Sequence, residues 1–303
     1  MKTPLRYPGG KSRAVKTLMK FIPEDCGELC SPFLGGGSIE LALAEKGVKV
    51  HAYDAFKPVV WFWQALLKDP ERLAALADIT RTKFKKKYIY QDEEYKARGL
   101  LQKDFDRFRD EIRFALRSGH PFSYEAAAKV YAINRSSFSG ATFAGGFSER
   151  ASYARFTDSQ IEYIRNFKVD NFTVKHADFK DSIKRHDCHL YLDPPYFLES
   201  ARCKLYGDEG DMHTFFPHLS LFSMLRERDN WALSYNDCDE IRSLYRDFSI
   251  HKVEWAMGMK NVKSKKVEEK KKQGKSSEII ITSLPNRKHY VILNETKGTN
   301  NDS

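Results

Sequence analysis

The chain has 303 residues, 41% of them hydrophobic, which is enough for one large core or two modest ones. Its net charge of +10 is typical of a protein with a polyanionic partner such as nucleic acid. No apolar run approaches the ~20 residues of a membrane-spanning helix, and no apolar stretch follows the charged N-terminus, so we expect neither a membrane helix nor a secretory signal. The five cysteines are scattered without a Cys-x-x-Cys pair, which favours a reduced, cytoplasmic protein without a metal site.

The first unit predicted along the chain is a strand, a glycine turn, a helix and a second strand. The strands cover 28–33 and 48–53, the turn covers 34–37, and the helix covers 39–46 with Ser38 as its cap. Asp54 follows directly after the second strand. This succession of elements is typical of nucleotide-binding α/β folds.

The next hundred residues or so, 56–156, interrupt the alternation of strands and helices. Residues 92–117 predict one amphipathic helix that stops at 118–121, and residues 124–133 predict another helix. Residues 134–148 are rich in glycine, hydroxyl groups and aromatic rings, so we expect a loop or hairpin that contacts a ligand. We predict that 56–156 is an insertion lying on top of the sheet.

The alternation resumes at residue 157 and continues almost to the end of the chain. Strands are predicted at 172–174, 190–192, 231–235, 248–256 and 278–284, and helices at 157–167, 214–228 and 237–246. Residues 157–160 predict a capping box, and the isoleucines at 279–281 predict a central strand. The predicted fold class is an open α/β sheet, with a discontinuous domain over 1–55 and 157–290, the insertion at 56–156 and a polar tail at 291–303.

Lysine and arginine cluster in two places. In residues 81–88 the cations alternate with aromatic rings, and Lys85, Lys86 and Lys87 are candidate contacts to a DNA backbone, with a solvated helix face as the equal alternative. The second cluster, 260–275, predicts a loop or hairpin tip whose lysine side chains lie in water.

The glycine turn and Asp54 together predict a nucleoside site. Gly35, Gly36 and Gly37 allow the backbone to approach a ligand where a Cβ atom would clash. Asp54 then lies where its carboxylate can accept hydrogen bonds from both hydroxyl groups of a ribose. Because the full Gly-x-Gly-x-x-Gly pattern of dinucleotide sites is missing, a nucleoside without phosphates fits better.

Asp193-Pro194-Pro195-Tyr196 is the most specific pattern in the chain, and it follows the apolar strand 189–192. A carboxylate, a stiff backbone carbonyl and an aromatic ring at the end of a strand can hold a planar heterocycle and accept hydrogen bonds from its exocyclic amine. The strands that end at Asp54 and Asp193 should meet at one edge of the sheet. A nucleoside beside an amine-bearing ring predicts methyl transfer from S-adenosylmethionine to a base amino group.

With these motifs in place, the chain resembles the Dam-type DNA adenine methyltransferases of bacteria and phages. The likeness runs in order through 5–11, 31–38, Asp54, Asp178-Phe179, Asp193-Pro194-Pro195-Tyr196 and 276–282. The resemblance implies a Rossmann-like class I methyltransferase sheet with an inserted, mainly helical target-recognition domain. It also implies S-adenosylmethionine as cofactor, double-stranded DNA as partner, no metal, and a cytoplasmic bacterial setting.

The resemblance also assigns roles to residues. The cofactor contacts it implies are Tyr7, Lys11, Phe33, Gly35, Gly37, Asp54, Asp178, Phe179 and Asp193, of which Asp178 and Phe179 lie at the cofactor's adenine. In the catalytic motif, Asp193 and the Pro194 carbonyl accept the two N–H groups of the target adenine. Tyr196 stacks on the flipped base, and the two prolines fix the backbone that carries these groups.

The resemblance is incomplete in the target-reading region. Family members specific for GATC carry an arginine soon after the Asn-Arg pair, whereas here the next arginine after Asn134-Arg135 is Arg150, so GATC specificity is not implied. Asn134, Arg135, Ser136 and Ser139 are candidate DNA contacts, with a packed glycine-rich turn as the alternative. Four alternatives stay open. Three are methylation of cytosine N4, of RNA or of protein glutamine, and the fourth is a catalytically silent DNA-binding homologue.

Overall fold

The computed structural model of the protein describes residues 1–87, 94–197, 216–253 and 278–285, without the side chains of 84–87, 94–97 and 284–285. The described residues form a seven-stranded sheet and a separate two-stranded hairpin. The strands are β1 Glu28–Ser31, β2 Lys49–Asp54, β3 Thr82–Lys87, β4 Glu94–Gly99, β5 Phe172–His176, β6 His189–Leu192, β7 Trp231–Asn236, β8 Phe248–Val253 and β9 Glu278–Pro285.

The strands of the large sheet lie in the order β5-β2-β1-β6-β7-β9-β8. All neighbours are parallel except that β9 runs antiparallel to both β7 and β8. The isoleucine-rich strand predicted near the C-terminus is β9, and it is paired on both sides. This topology confirms the predicted open α/β sheet of the Rossmann-like kind.

Helices connect the strands, as parallel pairing requires. The α-helices of the described residues are α1 Val15–Leu18, α2 Ser38–Ala44, α3 Lys57–Lys68, α4 Pro70–Ile79, α5 Gln102–Arg117, α6 Tyr124–Ser136, α7 Glu149–Arg155, α8 Asp158–Arg165, α9 Phe179–Lys184, α10 His218–Leu225 and α11 Asp239–Leu244. Short 3-10 turns occur at Lys11–Arg13, Met19–Phe21 and Phe138–Gly140.

The strand order creates a crevice at one point of the sheet. The chain passes from β1 to β2 on one side, and it later returns to place β6 on the other side of β1. The connections that follow β1 and β6 therefore diverge, and ligands bind at such switch points, outside the carboxyl ends of the strands. The glycine turn, Asp54 and the Asp193 motif follow β1, β2 and β6, so the topology brings them together.

Two predicted ends of the first unit differ from the structure. The strand β1 ends at Ser31 and not at residue 33, because Pro32 has no N–H group to donate to a neighbouring strand. The helix α2 begins at Ser38, with Gly37 in the capping position, so the prediction that Ser38 caps the helix is wrong. The Ser38 hydroxyl lies 3.0 Å from Ser12 Oγ instead.

The predicted capping box before α8 is also wrong. Thr157 occupies the capping position, but its side chain accepts no hydrogen bond from the helix backbone. Its hydroxyl instead forms a hydrogen bond with Ser159 Oγ at 2.8 Å. The neighbouring hydroxyl group thus takes the place of the helix backbone as the partner of Thr157.

The prediction of a helix over 92–117 is wrong in its first part. Residues Glu94–Gly99 form β4, which pairs antiparallel with β3, and the helix begins only at Gln102. Tertiary packing overrides the helical pattern here. A Cβ atom on Gly99 would lie 2.5 Å from Ser152 Oγ, which shows how closely the strand backbone approaches α7.

Residues 56–156 share one hydrophobic core with the sheet. That core includes Val50 and Ala52 of β2 together with Phe105 and Tyr131 of the predicted insertion. The Phe62 ring of α3 stacks on Tyr131 with centres 5.2 Å apart. The proposed boundary at residue 56 stays a prediction of domain organisation, and the packing is continuous across it.

We expect Gly99→Ala to lower the free energy of unfolding by about 1–3 kcal/mol, because the added methyl group would overlap Ser152. Gly27→Ala is the matched control: nothing lies within 4 Å of a Cβ atom there, so its stability should equal or slightly exceed that of the wild type. Urea unfolding measures both variants. Equal midpoints for Gly99→Ala and the wild type would contradict the close packing of β4 on α7.

Candidate active site

A cavity lies at the carboxyl ends of β1, β2 and β6. Its walls come from the N-terminal segment 7–11, the glycine turn with the start of α2, the residues after β2, and the end of β6 with the motif that follows. The predicted site residues that line it are Tyr7, Lys11, Phe33, Gly35, Gly37, Asp54, Asp193, Pro194, Pro195 and Tyr196. Residues that are far apart in the sequence therefore meet in one place.

The glycine turn is shaped by contacts within the protein. Gly35 and Gly37 have φ angles of +46° and +68°, which favour glycine. A Cβ atom would lie 2.8 Å from the Tyr7 ring on Gly35, and 2.8 Å from the Trp63 ring on Gly37. The Trp63 indole N–H also donates to the Gly35 carbonyl oxygen at 3.1 Å. The packing of Tyr7 and Trp63 therefore requires the glycines, and this reason is separate from the predicted approach of a ligand.

Asp54 fastens the glycine turn to the end of β2. Its carboxylate accepts hydrogen bonds from the backbone N–H groups of Gly35 at 2.9 Å and Phe56 at 2.8 Å. Burial raises the pKa of Asp54, and the two N–H groups oppose that rise. Each carboxylate oxygen can accept a further hydrogen bond, so the predicted ribose contact is compatible with this role and stays a prediction.

Lys11 is the electrostatic centre of the cavity. Its side chain is buried, with Nζ 3.0 Å from Asp193 Oδ1 and 3.3 Å from Glu278 Oε2. Burial alone would lower the pKa of Lys11, but the two carboxylates raise it above its ordinary value, so the ammonium group stays charged. The ion cluster joins the N-terminal segment to the ends of β6 and β9.

Asp193 and Glu278 ionise less readily than ordinary carboxyl groups. Burial raises the pKa of both, and the charge of Lys11 limits the rise. The Asp193 side chain keeps 23% of its surface exposed, against 7% for Glu278. Asp193 also lines the cavity, so it is the carboxylate of this cluster that a bound molecule can contact.

Tyr196 is held by its hydroxyl group. Lys11 Nζ donates to that hydroxyl at 2.5 Å, and Ser234 Oγ lies 3.3 Å from it. Nζ is 4.8 Å from the centre of the Tyr196 ring, so Lys11 approaches the hydroxyl edge and does not cover the face of the ring. The hydroxyl contacts fix the orientation of a ring that the sequence predicts to stack on a base.

The aromatic and acidic residues predicted to contact the cofactor divide between the cavity wall and the layer behind it. Phe33 lines the cavity, and its ring stacks on Phe179 with centres 5.7 Å apart. Phe179 is buried, while Asp178 is exposed and caps α9 by accepting from the Lys180 N–H at 2.8 Å. Neither Asp178 nor Phe179 lines the cavity, so their contacts to a cofactor stay predictions.

Asn134 and Arg135 are built into the interior of the protein. They lie in the last turn of α6, which extends to Ser136 and so passes the end predicted at 133. Asn134 accepts from the Arg6 backbone N–H at 2.9 Å and donates to the Arg6 carbonyl oxygen at 2.6 Å. Arg135 donates to the Arg155 carbonyl oxygen at 2.7 Å.

The burial of Asn134, Arg135 and Ser136 argues against the prediction that their side chains contact DNA. Buried backbone N–H and C=O groups need hydrogen-bond partners. The side chains of Asn134 and Arg135 supply such partners to the backbone of Arg6 and Arg155. Their hydrogen bonds instead position the N-terminal segment that carries Tyr7 and Lys11 into the cavity.

The loop after α6 packs on the same N-terminal segment. A Cβ atom on Gly140 would lie 2.5 Å from Arg6 Cβ, and Gly140 has a φ angle of +76°. Ser139 is half-buried with a φ angle of +53°, and the neighbouring Phe138 ring is 68% exposed. A DNA contact by Ser139 stays a prediction.

Several predictions concern parts of the chain outside the described residues. The backbone of Lys85, Lys86 and Lys87 lies in β3, but their side chains are not described. The lysine-rich segment 260–275, the start of the motif at 276 and the tail at 291–303 also lie outside the described residues.

Three residues that shape the cavity escaped prediction from the sequence. Trp63 of α3 and Ser234 of β7 belong to ordinary apolar segments, which give no sign of a role in a site. Glu40 of α2 lines the cavity and is 2% exposed. A signal for Glu40 does exist, because an acidic residue between Ile39 and Leu41 in a mostly apolar helix indicates a buried carboxylate.

Two kinds of feature are absent from the ranges that the structure describes. Within those ranges, no group of three or more His, Cys, Asp or Glu side chains is arranged to hold a metal ion. None of the helices found there is both long and apolar enough to span a bilayer.

Comparisons with known proteins point in one direction. The family model of the D12 class N6 adenine-specific DNA methyltransferases matches residues 7–259. The type II methyltransferase M1.LlaDCHI of Lactococcus lactis subsp. cremoris is 24% identical over 298 residues, which cover 93% of this chain and 95% of the relative. The family match includes the glycine turn, Asp54 and the Asp193 motif.

We expect Lys11→Met to lower the free energy of unfolding by about 3 kcal/mol at a pH of about 8, because Asp193 and Glu278 lose their shared counter-ion. Without Lys11, the pKa of both carboxyl groups rises further above its unfolded-state value. A carboxyl group whose pKa is higher in the folded protein lowers the free energy of unfolding only at pH values where that group is ionised in the unfolded chain. The loss should therefore shrink as the pH falls toward about 4, and urea unfolding across this range measures it.

Glu278→Gln in the Lys11→Met background serves as the control for this effect. Removing one of the two uncompensated carboxylates should recover part of the lost stability at high pH. A loss that is independent of pH, or one that Glu278→Gln increases, would contradict the ion cluster as the cause.

We expect Asp54→Asn to lower the free energy of unfolding by about 1–3 kcal/mol, because its amide NH2 would face the N–H group of Gly35 or Phe56 and leave a buried donor without an acceptor. Asp178→Asn makes the same chemical change at an exposed helix cap, where Asn and Asp are equivalent, so it should unfold like the wild type. Thermal unfolding compares them. If Asp54→Asn also matches the wild type, Asp54 does not hold the turn.

Proposed function

Since the chain belongs to the D12 class of N6 adenine-specific DNA methyltransferases, we propose that its cavity binds S-adenosylmethionine beside an adenine flipped out of double-stranded DNA. The enzyme methylates the N6 amino group of adenine in DNA, and the family match favours this over the cytosine, RNA, protein and non-catalytic alternatives. The observation that carries the proposal is that one cavity is lined by the glycine turn, Asp54 and the partly exposed carboxylate of Asp193.

The lining of the cavity offers chemical groups and charges that suit this donor. Asp54 offers acceptors for ribose hydroxyls, Phe33 offers an aromatic ring, and acidic side chains match a cationic ligand. The Tyr191 hydroxyl is buried in the wall without a hydrogen-bond partner among the described residues, and a ligand can satisfy it. When bound, S-adenosylmethionine supplies an electrophilic methyl group on a positively charged sulfur.

Asp193 is proposed to activate the amine of the target base. The lone pair of the adenine amino group is delocalised into the ring, so its nitrogen is a poor nucleophile. The Asp193 carboxylate and the Pro194 carbonyl accept its two N–H groups, which localises the lone pair on nitrogen. The carboxylate also offsets the positive charge that develops during transfer. Lys11 limits the pKa rise that burial imposes on Asp193, which favours the ionised form of this acceptor.

Tyr196 is proposed to hold the flipped base by stacking. Such stacking stabilises a base by ~1–3 kcal/mol, which offsets part of the few kcal/mol that flipping costs. Lys11 and Ser234 anchor the hydroxyl group, so the ring is oriented before the base arrives. Pro194 and Pro195 hold the intervening backbone at fixed φ.

The proposal assigns DNA recognition to residues 56–156. The net charge of +10, the lysines of β3 and the loop with Ser139 support contacts to a duplex. The relative is named a type II methyltransferase, which favours a sequence-specific modification role beside a restriction enzyme. The target sequence is left open, because the arginine typical of GATC readers is missing after Asn134-Arg135.

We expect Asp193→Ala to lower kcat by at least about 10²–10³-fold, because the principal acceptor of the amine N–H groups is lost. Transfer of labelled methyl from S-adenosylmethionine to DNA measures the rate, and digestion of the product to nucleosides identifies N6-methyladenine. Asp181→Ala, at an exposed position of α9, is the matched control and should keep the wild-type rate.

Binding of S-adenosylhomocysteine separates chemistry from cofactor binding in the same variant. Asp193→Ala should retain measurable affinity, since Asp54 and the glycine turn remain. A wild-type kcat in Asp193→Ala would refute the role of this carboxylate, and methylation at any position other than adenine N6 would contradict the assigned reaction.

A further inference from the structure

The walls of the cavity carry more negative than positive charge. Glu40, Asp54 and Asp193 line it, and Lys11 is the single cation among its described lining residues. Lys11 is already engaged by Asp193 and Glu278, and Asp54 accepts from two backbone N–H groups. Glu40 is the lining carboxylate for which the described residues provide no cation, and its contacts are the Ser31 hydroxyl and backbone N–H groups at the start of α2.

Glu40 lies in the first turn of α2, directly after the glycine turn. Its side chain is buried, and Oε1 accepts a hydrogen bond from the Ser31 hydroxyl at 2.6 Å. Burial raises the pKa of Glu40 to about 7, the Ser31 hydroxyl and nearby backbone N–H groups oppose the rise, and the charge of Asp193 adds to it. Near neutral pH the group is therefore divided between its acid and its carboxylate, and a cation in the cavity would favour the carboxylate.

The strand order places Glu40 between the two ends of the proposed donor site. Asp54 ends β2, Glu40 follows β1, and Asp193 follows β6, and these three strands are neighbours in that order. A donor whose ribose lies at Asp54 and whose methyl group points toward Asp193 carries its amino-acid arm on the same sulfur atom. The ammonium group of that arm is a few bonds from the sulfur, within the region that Glu40 lines.

We propose that Glu40 binds the α-ammonium group in the amino-acid arm of the methyl donor, and that the proton of the Glu40 carboxyl group passes to solvent on binding. This inference rests on the proposed function, in which the donor is S-adenosylmethionine. The titratable groups whose charges act on Glu40 are Asp193 and Tyr191 from the β6 side, and Lys11 lines the same cavity. Asp193 is required for the base amine, Tyr191 has no charge at neutral pH, and Lys11 repels an ammonium group, which leaves Glu40.

Glu40→Gln tests the assignment, because glutamine keeps the shape and can still accept the Ser31 hydroxyl. Calorimetry measures the affinity of the full chain for two ligands: S-adenosylhomocysteine, which has the ammonium group but no sulfonium, and 5′-methylthioadenosine, which lacks the amino-acid arm. We expect Glu40→Gln to weaken S-adenosylhomocysteine roughly 10- to 100-fold and 5′-methylthioadenosine less than about twofold. Glu45→Gln, an exposed position at the end of the same helix, should change neither affinity.

The pH dependence gives a second readout that a merely structural role would not move. The ionised form of Glu40 binds the cation, so the affinity of the wild type for S-adenosylhomocysteine should rise as the pH increases through about 7. Calorimetry in buffers of different ionisation enthalpy should show proton release on binding, and Glu40→Gln should reduce it. Ser31→Ala keeps the carboxylate but removes a bond that stabilises it, so the rise in affinity should move to higher pH.

Each outcome separates the assignment from the proposed function. Equal weakening of both ligands by Glu40→Gln would show that Glu40 acts through the shape of the cavity, and would overturn the assignment. Unchanged affinity for S-adenosylhomocysteine would overturn it as well. If the wild type binds neither ligand, the proposed donor is wrong, and the role of Glu40 falls with it.

Discussion

The buried ammonium group of Lys11 is the interaction on which the rest of the site depends. It contacts Asp193, Glu278 and the Tyr196 hydroxyl, and so ties the N-terminal segment to strands from the second half of the chain. Without a cation at this point, burial would favour the neutral forms of both carboxyl groups. One lysine therefore serves both the architecture of the crevice and the charge state of the proposed catalytic group.

The position of Lys11 depends in turn on contacts far from the cavity. The N-terminal segment is held at Arg6 by both polar atoms of the Asn134 side chain, and Gly140 packs against the same residue. The end of α6 and its following loop thus connect the region proposed to recognise DNA with the segment that carries Tyr7 and Lys11 into the cavity.

The cavity combines three buried or partly buried carboxyl groups with a single cation, Lys11, among its described lining residues. Glu40, Asp54 and Asp193 all have raised pKa values because burial disfavours their charged forms. One of these carboxylates, Asp54, holds the glycine turn in place through its two hydrogen bonds. The other two, Glu40 and Asp193, suit a ligand with positive charge. This agrees with the proposed sulfonium donor, which also carries an ammonium group.

The sequence by itself determined the α/β alternation, the glycine turn, the strand that ends at Asp54 and the Asp193 motif, because each is a contiguous pattern whose backbone state and chemistry are local. Only the tertiary structure decided that 94–99 form a strand, because β3 and α7 supply the partners. It also decided that Asn134 faces inward and that Trp63 and Glu40 shape the cavity. Burial and pairing depend on groups distant in the chain, and a local pattern carries no record of those groups.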